Sequence, residues 1–67
     1  RVTLVELEAY RWPDTSLGCP VPDVAYQSAA IDGYRVVVEA AGEQFIFHTD
    51  AATLYPCPTE REQLPEN

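Results

Sequence analysis

The chain has 67 residues, eleven Asp and Glu against four basic residues, a formal net charge of −7, and 46% hydrophobic residues. That length admits one small domain and excludes a large catalytic fold with its own substrate domain. The charge argues against nucleic acid, whose affinity rests on cations that neutralise phosphates, and against an anionic membrane surface.

The first segment, Val2 to Trp12, alternates Val5, Leu7 and Ala9 with Glu6, Glu8 and Tyr10, which predicts a strand with one buried face. A helix stays open as an alternative, because Leu4, Leu7 and Arg11 also fall at helical spacing. The β-branched start and Pro13 favour extended chain. Pro13 to Asp23 holds three prolines, a glycine and the turn formers Asp14, Thr15 and Ser16, and reads as a long loop stiffened by Pro20 and Pro22. Asp23 to Ala30 has two readings. Asp23 could cap a short helix, or the Asp32-Gly33 dipeptide could turn a strand back on the next one, and the extended reading is preferred.

The centre is the clearest part. Tyr34 to Ala40 and Glu43 to Thr49 flank Ala41-Gly42 as a hairpin, closed by a two-residue turn or a four-residue loop from Ala40 to Glu43. Pairing about that turn sets Val38 against Phe45, Val36 against Phe47 and Tyr34 against Thr49, so one face is wholly apolar. The other face pairs Val37 with Ile46 and Arg35 with His48. A slip of one residue would turn Phe45 and Phe47 to the wrong side. Leu54 to Cys57 is a short last strand, and Thr59 to Asn67 is a polar tail. The fold class is mainly β: a small antiparallel meander of three to five strands over residues 1 to 58, with a Pro-rich loop tied to its end. The apolar clusters are too short to span a bilayer, so no membrane insertion is expected.

The tie is Cys19 with Cys57. Two cysteines cannot complete a zinc site alone, and both sit beside prolines in loops; one disulfide is expected, with two buried free thiols as the alternative. Closing a loop of about 39 residues stabilises a fold by about 4 kcal/mol. A disulfide favours an oxidising compartment, so the chain is expected to be extracytoplasmic: secreted, periplasmic or at the cell surface. With no starting Met and no signal-peptide pattern, Arg1 is expected to be a processed or truncated start.

The run Trp12-Pro13-Asp14-Thr15-Ser16-Leu17-Gly18-Cys19-Pro20-Val21-Pro22 resembles a group of uncharacterised exported bacterial domains with a Trp-x-Asp-x-Ser-Leu-Gly-Cys-Pro-x-Pro loop. Tyr26, Gly33-Tyr34-Arg35 with Val36 to Val38, Phe45 to Phe47 with His48-Thr49, and Cys57 continue the likeness. Asp23 and Asp32 depart from it, standing where a glycine and a proline would be expected. The resemblance implies export and a Cys19–Cys57 pair, and no activity. It also implies a helix ahead of the first strand; without that helix the apolar face lacks a cover.

Ser16 or Ser28 with His48 and Asp50 supply the residue types of a nucleophilic triad. No Gly-x-Ser-x-Gly elbow accompanies them, and turn roles explain both the serines and Asp50. Asp14, Asp23, Asp32 and Asp50 fall in loops without the spacing of a calcium loop, so calcium is not expected; nor is any other metal or cofactor. Trp, Tyr and Arg concentrate binding energy at interfaces. Trp12, Leu17, Pro20, Tyr26, Tyr34 and Arg35 are therefore the candidate partner-binding residues, with Trp12 also suited to packing beneath the Pro-rich loop. The expected function is a non-enzymatic, exported protein-interaction or structural module that contacts itself or another protein. The alternative is a small protease inhibitor presenting the rigid loop Leu17 to Pro22.

Overall fold

The computed structural model describes residues 1–65. Four strands form one antiparallel sheet in chain order: β1 Val2–Asp14, β2 Ser28–Ala40, β3 Glu43–Thr49 and β4 Leu54–Pro56. A single 3-10 turn follows at Thr59–Arg61. The β2–β3 register is the expected one throughout, with Val38 opposite Phe45, Val36 opposite Phe47, Tyr34 opposite Thr49, Val37 opposite Ile46 and Arg35 opposite His48. Their connection is a two-residue turn with both residues left-handed, Ala41 at φ 54° and Gly42 at φ 78°. That geometry matches strand twist, at a cost for the Ala41 Cβ.

Two local expectations and one alternative reading give way. Asp32-Gly33 makes no turn; both residues lie inside β2, where Gly33 pairs with Tyr10. No helix spans Asp23 to Ala30, because Asp23 takes φ 67° and the chain is already in β2 at Ser28. The polar tail does not begin at Thr59, since the Gln63 amide donates to the Gly18 carbonyl at 2.8 Å and Glu62 reaches into the sheet. The end of that expected tail, Glu66 and Asn67, lies outside the described residues.

β1 is extended over its whole length and forms one margin of the sheet, where Pro13 is tolerated without a ladder N–H. Its register slips between Leu4 and Glu6, with Val5 as the extra residue of a bulge. One face therefore carries Leu4, Leu7 and Ala9 beside Val36, Val38, Phe45 and Phe47. The opposite face carries Glu6, Glu8, Tyr10 and Trp12 beside Arg35, Val37 and His48.

The core sits on the second, polar-looking face, contrary to the expectation that the apolar face is the buried one. Trp12 and His48 are fully buried there, with Val37, Leu17, Cys19 and Cys57. The long β1–β2 loop folds across this face and the segment after β4 joins it. A disulfide holds the two together, with the Cys19 and Cys57 Cα atoms 5.9 Å apart. The apolar face receives no such cover, and Leu4 and Leu7 are each 57% exposed.

Candidate functional site

The loop that seals the covered face is shaped by short-range hydrogen bonds. Asp14 Oδ1 accepts from the Ser16 amide at 2.9 Å and from the Ser16 hydroxyl. The Cys19 amide then donates to the Ser16 carbonyl at 3.0 Å, closing a turn whose central residues Leu17 and Gly18 are both left-handed. At the loop's far end the Thr15 amide donates to the Gln27 carbonyl and the Gln27 amide to Thr15 Oγ1. This geometry drives Leu17 inward. It presses Gly18 so closely on Trp12 that a Cβ there would lie 2.6 Å from the indole.

Beneath the loop, three rings stack. Tyr10 lies 5.1 Å from Trp12, and Trp12 lies 4.6 Å from His48 at an interplanar angle of 11°. The Trp12 indole N–H donates to the Thr49 carbonyl at 2.9 Å, so the indole's one polar atom is satisfied inside the core. The indole crosses β2 at Gly33, where a Cβ would stand 1.7 Å from the Thr49 oxygen and 2.9 Å from the indole nitrogen. That close approach explains a glycine in mid-strand.

His48 has acceptors on both sides, the Leu17 carbonyl at Nδ1 and Glu62 Oε2 at Nε2, 2.7 Å away. Arg35 binds Glu62 through Nε and Nη2 and reaches Glu6 through Nη1 at 2.6 Å. Burial alone would push the Glu62 carboxyl up; the hydrogen bonds from Arg35 and His48 outweigh it and hold the group below its ordinary range. The same Glu62 bond raises Arg35 above its usual value. The network ties the C-terminal segment onto the sheet.

The candidate triad is not assembled. His48 is occupied by Leu17 and Glu62, the Ser16 hydroxyl by Asp14, and Asp50 by the Ala52 and Thr53 amides at 2.8 and 2.6 Å. Those two amides hold the Asp50 carboxyl below its ordinary value. Asp32 pairs with Arg11 at 3.0 Å. Among the described residues, no three His, Cys, Asp or Glu side chains gather where a metal ion could be held. No helix among them is long and apolar enough to cross a membrane.

The six candidate contact residues separate. Trp12 and Leu17 are withdrawn from solvent and present no surface, and Arg35 is committed to Glu6 and Glu62. Pro20 and Tyr26 are half-buried, the Tyr26 hydroxyl accepting from the Val21 amide at 3.0 Å. Tyr34 alone lies on the open face, and it is 48% exposed. Sequence reasoning does not find Glu62, because nothing local marks it; the only hint is the pairing of two basic side chains, Arg35 and His48, across β2 and β3.

Leu4, Leu7, Tyr34, Phe45 and Leu54 stand out of the open face, with Val36, Val38 and Phe47 half-buried between them. Fold and site thus define a disulfide-tied, four-stranded meander whose sheet is sealed on one side and bare on the other. The chain belongs to the family described as Domain of unknown function (DUF8738), whose model matches residues 1–57. That agrees with the expected membership of an uncharacterised domain family. No curated protein and no solved structure matches the chain.

Proposed function

We propose that this chain is a non-enzymatic protein-interaction module of an exported assembly, and that it docks through the bare sheet face. One observation carries the reading: a contiguous apolar sheet face, with Leu4 and Leu7 each 57% exposed, in a domain whose core lies entirely on the other side. A sheet normally buries its apolar side against a second layer, and contiguous apolar patches of this kind mark interaction sites. The Cys19–Cys57 disulfide supports an oxidising compartment, secreted, periplasmic or at the cell surface. The likeness of the Trp12 to Pro22 run to exported bacterial domains supports the same setting.

The protease-inhibitor alternative finds less support. An inhibitor loop must offer its specificity side chain to an enzyme, whereas Leu17 is 2% exposed and its carbonyl is engaged by His48. The test is photo-crosslinking in the native extract, with a photoreactive residue at Val36 on the bare face and, as a control, at Glu39 on the other. Protein adducts from position 36 and none from position 39 are expected. Absence of any protein adduct from position 36, self included, would overturn the proposal.

A further inference from the structure

We propose that the occupant of the bare face is a second copy of this chain, the two sheets packing face to face as a two-fold symmetric sandwich. This rests on the module reading above and names its partner.

Area is the first argument. Leu4, Leu7, Tyr34, Phe45 and Leu54 are 41–57% exposed. With their half-buried neighbours they leave on the order of 600 Å² of apolar surface per copy, given that a whole aromatic side chain carries about 150–250 Å². That is the upper end for an apolar patch on a monomer and approaches the roughly 800 Å² per partner of a standard interface.

Charge distribution is the second. A net charge of −7 would ordinarily keep copies apart. Here Glu6, Glu8 and Glu39 project from the covered face, and Glu62 is locked against it. Among the described residues the bare face carries Asp32, neutralised by Arg11, with Glu43 at the hairpin end and Asp50 in the β3–β4 turn at the other. Two copies meeting through it turn their acidic sides outward, away from each other. Sheets packed in this way lie about 10 Å apart with strand directions within about 30°, which the protruding Leu and Phe side chains can fill.

The experiment is sedimentation equilibrium of the protein from micromolar to millimolar concentration, together with the Phe45→Lys variant. The expected result is a mass that doubles with concentration, and self-association at least about 100-fold weaker in the variant, as for loss of a central anchor. Leu7→Lys replaces it if Phe45→Lys fails to fold. A monomer at millimolar concentration, or a folded variant that still dimerises, would overturn the proposal. In the crosslinking experiment, adducts from position 36 to other proteins alone would overturn the self-partner while leaving the module reading in place; the absence of all adducts would remove both.

Discussion

The two faces of this sheet are built from opposite materials and behave opposite to their composition. The face with Glu6, Glu8, Arg35 and His48 is covered over Trp12, Arg35 and His48, with Glu6 and Glu8 exposed beside that cover, while the face with Leu4, Leu7, Val36, Val38, Phe45 and Phe47 is bare. Polar groups can be enclosed when each finds a partner, as His48 does between Leu17 and Glu62 and Arg35 between Glu62 and Glu6. Apolar groups have no such local solution. They need a second layer, which this chain spends on its other side.

The comparison is broken most sharply at Trp12. Trp12→Ala should cost about 3–5 kcal/mol in chemical denaturation, which is most of a small domain's stability, so a largely unfolded variant is expected. A loss under about 1 kcal/mol would mean the covered face is not the stability centre. Reducing the Cys19–Cys57 bond should cost about 4 kcal/mol, read as a lower thermal midpoint together with a two-hydrogen gain in intact mass. Gly33→Ala comes next, at about 2–3 kcal/mol, because its Cβ meets the Thr49 oxygen and the Trp12 indole and the backbone must shift.

Glu62 sharpens the comparison through pH. Its carboxyl is depressed in the folded state, so its contribution is fully present above the unfolded value, 4.5, and is lost as pH falls through the folded one. Glu62→Gln should remove about 1–3 kcal/mol at neutral pH and flatten stability across that acid range. An unchanged acid profile would show that the latch contributes nothing. The smallest effect belongs to the bare face, where Leu7→Ser in dilute solution should stay within about 0.5 kcal/mol of the parent by denaturant titration. A loss of 2 kcal/mol would show that Leu7 is covered in solution.

The central hairpin was legible because period-two alternation in two strands and a short turn leave one register that keeps Val36, Val38, Phe45 and Phe47 together. The disulfide was legible from two cysteines in Pro-rich loops. Gly33 misled, since the dipeptide Asp32-Gly33 has the chemistry of a turn, while its reason for being glycine is an indole contributed by β1. Glu62 was illegible because its partners lie 27 and 14 residues away in sequence.

From its sequence alone this chain was committed to being one small antiparallel meander with a two-sided hairpin and a clipped loop, because alternation, turns and cysteine pairing are short-range or chemically unique. Which side of the sheet the loop would seal was decided only in three dimensions. The left-handed turn at Leu17-Gly18 and the reach of Trp12 across Gly33 send the loop over the polar-looking side. Burial followed from where the connecting segments could reach, and the more apolar side was left uncovered.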